Sequence, residues 1–365
     1  MKKTFQYRAK INRETEKNAI NWLNLCCILY NIALEIRISA YKNFKKSISL
    51  HNQVIQLPDL KKAYPEFKTV GSQVLQDVLE RLDRAYKAFF DRCKNGKAGF
   101  PRFKSKHRYD SFTLKQAGWK LDGKYLNIKN IGIFKLYLSR AIEGDIKTVT
   151  VRRTSTGKWF VCFSCDNVPE RKYLETKKEI GIDVGINSFL VDSEGNNVEN
   201  PKYYRKAQKV LRRKQRVLAR KKKGSNRRRK ARILVAKAHE KVANQRKDFL
   251  NKTANLYIAM YAIISIEALK INNMIKNKHL SKSIADSAWG MFFELLTYKA
   301  VEAGRKIIKV APHGTSQNCS KCGEKVPKSL AVRVHKCPYC GIVLDRDFNS
   351  ALNIKTAGQA VQALI

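Results

Sequence analysis

Two C-x-x-C pairs, Cys319-x-x-Cys322 and Cys337-x-x-Cys340, stand fourteen residues apart, and each is followed by a glycine, Gly323 or Gly341. No other feature restricts the chain as much. Two such knuckles place four thiolates around one tetrahedral Zn²⁺, and a cage closed by four cysteines leaves no position for substrate, so the metal is expected to be structural. Iron in the same cage and a redox pair are the weaker readings. A third C-x-x-C, Cys162 and Cys165, falls inside a strand pattern with no second pair near it and reads as packing. The cysteines number nine. An odd count with no secretory leader argues for a reducing compartment and against a disulfide framework.

Directly after the second knuckle comes Asp345-Arg346-Asp347-Phe348-Asn349-Ser350-Ala351-Leu352-Asn353-Ile354, where acids open a helix with a small-residue face. The bound metal is expected to anchor the loop presenting that acid. Two other acids sit where acids are costly. Asp183 lies between Ile182 and Val184 in an apolar strand followed by Gly185, and Glu267 is the single acid near the end of Ala262-Ile263-Ile264-Ser265-Ile266-Glu267-Ala268-Leu269. A carboxylate in such a strand is expensive unless it is paired or holds a cation. Two strand-borne acids and one at a helix start suit a ribonuclease H-like nuclease. That chemistry needs hard oxygen ligands for Mg²⁺, which keeps several waters and is completed by substrate phosphate. Two such ions about 4 Å apart activate the water and stabilise the leaving oxygen without a protein nucleophile. Taken singly, each acid is as consistent with a structural ion pair.

Lys and Arg total 74 against 30 Asp and Glu, a net charge of +44, which favours polyanions without naming one. From Lys202 to His239 there is no acid at all. Arg205, Lys209, Arg212, Arg213, Arg216, Arg220, Lys221, Lys222, Lys223, Arg227, Arg228 and Arg229 lie there at helical spacing, on either side of a break at Gly224-Ser225-Asn226. A solvated helix face usually mixes its signs, so phosphate contact is expected and a disordered basic tract is the alternative. A membrane partner is not expected. The most apolar run, Leu256 to Leu269, is too short to span and contains Glu267, and Met1-Lys2-Lys3 leads straight into Thr4-Phe5-Gln6-Tyr7 with no apolar leader.

With 365 residues and 44% hydrophobic content the chain is long enough for two or three domains. Lys3 to Lys10 alternates in polarity like a strand. Ile20, Leu23, Leu25, Ile28, Leu29, Ile32 and Leu34 recur at helical spacing, as do Val74, Leu75, Val78, Leu79, Leu82 and Phe89. Gly96 to Arg108 reads as a loop, and Ser111 to Val168 as β-rich, with strands at Tyr125–Ile128, Ile133–Leu136 and Lys158–Phe163. A boundary is expected within Pro169 to Lys178, then strands at Glu179–Ile186 and Phe189–Asp192, with Glu194-Gly195 as a turn.

Several of these segments resemble TnpB, the nuclease family of insertion sequences that is similar to compact type V CRISPR effectors. The resemblance is carried by Gly181-Ile182-Asp183-Val184-Gly185, Asn244-Gln245-Arg246-Lys247-Asp248-Phe249, Ile266-Glu267-Ala268-Leu269 and Ser283-Ile284-Ala285-Asp286-Ser287-Ala288-Trp289-Gly290. It continues through Thr315-Ser316-Gln317-Asn318-Cys319 and Cys337-Pro338-Tyr339-Cys340-Gly341 to Asp345-Arg346-Asp347-Phe348-Asn349. Nearer the N-terminus it includes Ser72-Gln73-Val74-Leu75-Gln76, Arg81-Leu82-Asp83-Arg84-Ala85 and Phe100-Pro101-Arg102-Phe103-Lys104. The matches keep one order over nearly the whole chain.

The resemblance implies an α+β multidomain fold. A wedge β-barrel would take residues 1–10 and 108–170, with a helical recognition domain, 11–107, inserted. A RuvC domain built on a mixed sheet would take 178–314 and 343–365, with a zinc ribbon, 315–342, inserted. It implies a guide RNA made from the transposon end and double-stranded target DNA beside a short motif. Both strands would be cut by one RuvC site holding two Mg²⁺ on Asp183, Glu267 and Asp347, with one structural Zn²⁺. Asp347 is preferred to Asp345 because the family places the ligand two residues before the Asn. Arg333 is a candidate cation near the scissile phosphate, its ordinary alternative being a pair with Asp345. Gln73 and Gln76 are candidates to read adenine edges beside the target, and Arg102 and Lys104 to hold nucleic acid. The rivals are a nuclease-silent RNA-guided repressor, a strand-transferring transposase, and the same nuclease with a CRISPR-type or split guide, since base pairing rather than protein reads the target. One protein per ribonucleoprotein, in a prokaryotic cytoplasm at the nucleoid and away from membranes, completes the expectation.

Overall fold

The computed structural model describes residues 1–96, 99–171, 173–329 and 332–364. They form two compact units that divide between Pro169 and Glu170, inside the polar segment where a boundary was expected. Residues 97 and 98 of the expected loop at Gly96 to Arg108 lie outside the described ones.

In the first unit, β1 (Lys3–Lys10) alternates buried and exposed residues, with Phe5, Tyr7 and Ala9 turned inward, as a strand with one wet face must. Helix α1 (Arg13–Phe44) is capped by Asn12, whose side chain accepts from the Thr15 N–H, and Glu14 and Glu16 sit in the first turn where the helix dipole favours them. Short helices α2 (Leu50–Ile55) and α3 (Leu57–Ala63) and a 3₁₀ turn at Pro65–Thr69 lead into α4 (Ser72–Lys94). On α4, Val74, Leu75, Val78, Leu79 and Leu82 form one buried stripe.

Six strands follow: β2 (Ser111–Leu114), β3 (Trp119–Asp122), β4 (Tyr125–Ile128), β5 (Gly132–Tyr137), β6 (Asp145–Arg153) and β7 (Trp159–Asp166). With β1 they make one antiparallel sheet in the order β2-β6-β7-β1-β5-β4-β3. The expected barrel therefore takes the form of an open ladder among the described residues. Its edges are β2 and β3, four residues each, which are consecutive in the chain but pair with β6 and β4. Sheet and helices share one core: Trp22 of α1 packs against Phe112 with ring centroids 5.4 Å apart, and Leu75 and Leu79 join Phe5 and Phe163. Cys162 and Cys165 lie three residues apart on β7, so they face opposite sides and cannot share a metal.

Among the described residues α1 is long and apolar enough to cross a membrane, although the most apolar run expected from the sequence lies elsewhere. Yet 56% of its most apolar window is buried inside this unit, as befits a core helix. The run Leu256 to Leu269 is instead the end of a helix followed by a complete short strand.

The second unit begins with β8 (Glu179–Val184), β9 (Ser188–Asp192) and β10 (Asn197–Glu199), followed by α5 (Tyr203–Ala219), α6 (Asn226–Met260) and β11 (Ile263–Glu267). Then come α7 (Ile271–Met274), α8 (Ser281–Ser287), α9 (Trp289–Glu302), β12 (Lys306–Val310), β13 (Val334–Lys336), β14 (Val343–Asp345) and α10 (Arg346–Ala363). The sheet order is β10-β9-β8-β11-β12; β10, β9 and β8 pair antiparallel, and β8, β11 and β12 parallel. Strand β11, between β8 and β12, has isoleucine at three of its five positions, as suits a strand covered on both faces. On one face Ile180, Ile182, Ile264 and Ile266 pack with Leu250 and Ile258 of α6 and Phe292 and Leu296 of α9. On the other, Ile354 of α10 meets Ile308 and Val310 of β12. Helix α10 lies close to the sheet because Gly181 and Gly358 permit it. A Cβ on Gly181 would collide with the Ala351 carbonyl and the Lys355 backbone, and one on Gly358 with the Ser265 hydroxyl.

Candidate active site

Strands β8 and β11 run parallel with Ile182 opposite Ile266. The next residues, Asp183 and Glu267, therefore stand level at the C-terminal ends of neighbouring strands, whose backbones are about 4.8 Å apart across the sheet. Side chains alternate along a strand, so both acids share the face of Gly181 and Ser265, the face that α10 covers. Ala351 and Lys355 lie over Gly181, and Ser350, early in α10, is near enough to Asp183 to favour its charged form. Asp347 Oδ2 falls 3.9 Å from where a Cβ on Gly185 would stand, at the end of the same strand. All three expected acids are thus brought together, two by the register of the sheet and one by the helix above it.

Burial, then the charges of Glu267 and Asp347, push Asp183 well above the usual carboxylate range, while Ser350 and Arg346 pull the other way. Burial also pushes Glu267 up, against a hydrogen bond from Thr315. Like charges crowded into a half-dry corner are unfavourable unless a cation shares them. A donor set made only of carboxylate oxygens suits a hard divalent ion such as Mg²⁺.

Asp345 and Asp347, two residues apart, have different roles. Asp345 caps α10, accepting from the N–H groups of Asp347 (2.8 Å) and Phe348 (3.1 Å). Asp347 faces the site and is paired with Arg333, whose Nη1 lies 3.2 and 3.3 Å from its two oxygens. The arginine's partner is therefore Asp347 and not Asp345.

The four cysteines also converge. Sγ of Cys319 lies 3.6 Å from that of Cys340, and Cys322 stands at the same distance from Cys337, with all four within 4.8 Å of one another. Thiolates about 2.3 Å from one tetrahedral Zn²⁺ stand about 3.8 Å apart, so the cage fits that ion. Gly323 and Gly341 take φ of +79° and +70°, conformations that suit glycine, and their N–H groups close each knuckle on the carbonyls of Cys319 and Cys337. Burial resists ionisation of Cys319, but the N–H groups of Cys322 and Lys321 and the neighbouring His335 and Cys322 side chains draw its thiol down.

Three side chains that were not singled out from the sequence join the knuckle to the acids. Asn349 accepts from the Ser320 N–H and donates to the Asn318 carbonyl, both at 2.9 Å. Asn353 donates to the carbonyls of Thr315 and Asn318, each at 2.8 Å. Thr315 Oγ1 donates to Glu267 Oε1 at 2.5 Å. The available signal was a pair of asparagines four residues apart on a helix otherwise lined with small residues.

The basic run forms two helices, α5 and α6, joined by a turn capped at Ser225. Arg212, Arg213, Arg216, Arg220, Lys222, Lys223, Arg227 and Arg229 are exposed, and Lys221 is half-buried. Two of the expected contacts are engaged within the fold. Arg228 donates to the carbonyls of Leu218 (3.0 Å) and Lys221 (2.8 Å) and so ties the turn together. Arg205 donates to Ser283. Beside it, buried Asp286 caps α5 by accepting from the N–H groups of Tyr204 and Arg205, and pairs with Arg246. In the first unit, Gln73 uses its carbonyl oxygen to hold the N–H groups of Gln116 and Ala117, and Gln76 is half-buried on the same helix. Arg102 is exposed, while Lys104 has its backbone pinned to Asn31 and its ammonium 5.8 Å from the Tyr30 ring.

A Streptomyces pristinaespiralis protein whose name designates an RNA-guided DNA endonuclease is 32% identical over 374 residues, covering 100% of this chain and 91% of its own. InsQ of Escherichia coli, named in the same way, is 31% identical over 98% of this chain and 93% of its own. The chain belongs to the TnpB family. The OrfB_IS605 model, described as "Probable transposase", matches residues 162–278, and the Cas12f1-like TNB domain matches 289–354, the stretch holding the cysteines and Asp347. A Cas12f1 chain solved with single guide RNA and target DNA shares the fold, with TM-score 0.61 at 15% identity over 97% of this TnpB chain and 98% of its own. The mini-RNA-guided endonuclease Cas_phi3 is more distant, with TM-score 0.50 at 10% identity over 98% of this chain and 92% of its own.

Proposed function

We propose that this TnpB chain is an RNA-guided DNA endonuclease that hydrolyses phosphodiester bonds at Asp183, Glu267 and Asp347. The observation that carries the reading is the register of β8 and β11, which sets two half-buried acids side by side beneath a third on α10. Two Mg²⁺ held there would supply the activated water and stabilise the leaving oxygen. Asp183 and Glu267 offer their oxygens from the rigid sheet and Asp347 from the helix. Arg333 brings a guanidinium to the edge of the same site, where it can neutralise the scissile phosphate. The cysteine cage would hold one Zn²⁺ and keep the loop next to Glu267 in shape.

The exposed arginines and lysines of α5 and α6 give a guide RNA and its DNA heteroduplex a phosphate-binding surface. In the first unit we assign the sheet the wedge role and the helices the recognition role, with Gln76 and Arg102 as contacts for the motif beside the target. One site acting in turn on both strands needs only one protein per ribonucleoprotein. The two relatives matched over nearly their whole length are bacterial. We assign the ribonucleoprotein to a prokaryotic cytoplasm, at the nucleoid, with a guide copied from the transposon end.

The test is purification with RNA transcribed from the protein's own locus, followed by sequencing of that RNA. The complex is then given a plasmid library with a guide-matched target beside randomised bases, in Mg²⁺. Double-strand cuts that require the guide, one flanking motif and Asp183 are expected. Target binding without cutting by the unaltered protein would reveal a repressor instead, and joining of DNA ends would reveal a transposase.

A further inference from the structure

Thr315, Asn349 and Asn353 serve neither proposed metal directly, yet they connect the two sites. Asn349 is fully buried, and both its amide atoms are used on the knuckle backbone. Asn353, one turn along the same face of α10, grips the Thr315 carbonyl, and Thr315 grips Glu267. The helix that carries Asp347 thus holds the knuckle, and the knuckle holds the other ligand. Threonine is stiff at χ1, so fixing its backbone also fixes the direction of its hydroxyl. A glutamate at a strand end has several rotamers, and that hydroxyl selects one.

We propose that Thr315, Asn349 and Asn353 are positioning residues of the nuclease centre, which transmit the fold of the cysteine knuckle to the carboxylate of Glu267, so that the structural metal tunes binding of the catalytic one. The proposal rests on the reading of Asp183, Glu267 and Asp347 as a divalent-cation site. Removing an outer hydrogen bond from a ligating group commonly costs 10–100-fold in metal affinity.

The experiment measures Mn²⁺ binding to the full-length, zinc-loaded chain by electron paramagnetic resonance, with zinc content measured in parallel. Thr315→Val keeps the shape and removes the donor. It is expected to weaken Mn²⁺ about tenfold with zinc retained, and Thr315→Ser to restore the affinity of the unaltered chain. Asn353→Ala is expected to weaken Mn²⁺ in the same direction. Because both changes break one path, the double variant should be no worse than Thr315→Val alone. Unchanged Mn²⁺ affinity in Thr315→Val overturns the proposal, and so does loss of zinc together with Mn²⁺, which marks a merely structural contact. If Asp183→Ala binds Mn²⁺ as the unaltered chain does, the three-acid site itself has failed, and the proposal falls with it.

Discussion

Arg333 and Asp347 form an ion pair at the edge of the three-acid cluster, with one guanidinium nitrogen reaching both carboxylate oxygens at 3.2 and 3.3 Å. The oxygens that Arg333 holds are those a divalent cation needs, so the arginine competes for the ligand it accompanies. A partly exposed pair of this kind is worth up to about 1 kcal/mol, or about fivefold in an equilibrium. Arg333→Ala should therefore bind Mn²⁺ up to about fivefold more tightly. The same variant should cleave at least about tenfold more slowly at saturating Mg²⁺, because the charge beside the phosphate is gone. A metal titration of binding and of cleavage reads both effects. Unchanged cleavage at saturating metal would remove Arg333 from the chemistry.

Asp183 stands near the end of β8 beneath α10, close to the charges of Glu267 and Asp347. Asp183→Ala should lower the cleavage rate by about a thousandfold or more, since water activation and leaving-group stabilisation fail together. Affinity for a guide-matched duplex should stay within about threefold, because that binding is spread over phosphate contacts elsewhere. Paired mobility-shift and cleavage assays check this. A parallel loss of binding would mean that the substitution had disturbed the fold.

The acids were legible in the sequence because a charge inside an isoleucine-rich strand is a strong local anomaly. That Asp183 and Glu267 sit side by side was not, since parallel pairing between strands so far apart in the chain leaves no local mark. The knuckles were legible from spacing alone. Thr315, Asn349 and Asn353 were not, because one hydroxyl and two amides look ordinary until the backbone atoms they hold are known. The basic run shows the opposite difficulty. Its arginines look alike in sequence, and only the turn at Ser225 decides that Arg228 bonds to carbonyls while its neighbours face solvent. The open ladder of the first unit was hidden for a similar reason: strands as short as β2 and β3 do not announce which partner they take.

Burial and its acidic neighbours push Asp183 well above the usual carboxylate range, and burial pushes Glu267 up. A carboxyl with its folded pKa raised holds its proton more tightly in the native state. It contributes stability that is fully present below the unfolded value, about 4, and is lost as pH rises through the folded value. At pH 7 without divalent ions the ionised acids are a burden, so Asp183→Asn should melt about 2–4 °C above the unaltered chain, the equivalent of about 1 kcal/mol. The gap should close toward pH 4. Because the cation needs the charged forms, Mn²⁺ half-saturation should move to higher concentration as pH falls. Melting curves in Mg²⁺-free buffer and metal titrations at several pH values test both directions.

The hairpin of α5 and α6 separates two roles that arginine can play, and salt distinguishes them. Arg213 is exposed and free to meet a phosphate, whereas Arg228 is engaged with the carbonyls of Leu218 and Lys221. Each phosphate contact releases condensed counterions, which makes affinity fall with salt by a slope close to the number of contacts. Arg213→Gln should weaken guide RNA binding and lower that slope by about 0.7–0.9, with the melting temperature unchanged. Arg228→Gln should leave the slope nearly intact and lower the melting temperature, since it strands two carbonyls at the turn. RNA titrations between 50 and 200 mM salt, run beside melting curves, measure both quantities. If Arg228→Gln lowers the slope as much as Arg213→Gln, then the turn opens on RNA and Arg228 exchanges its carbonyls for phosphate.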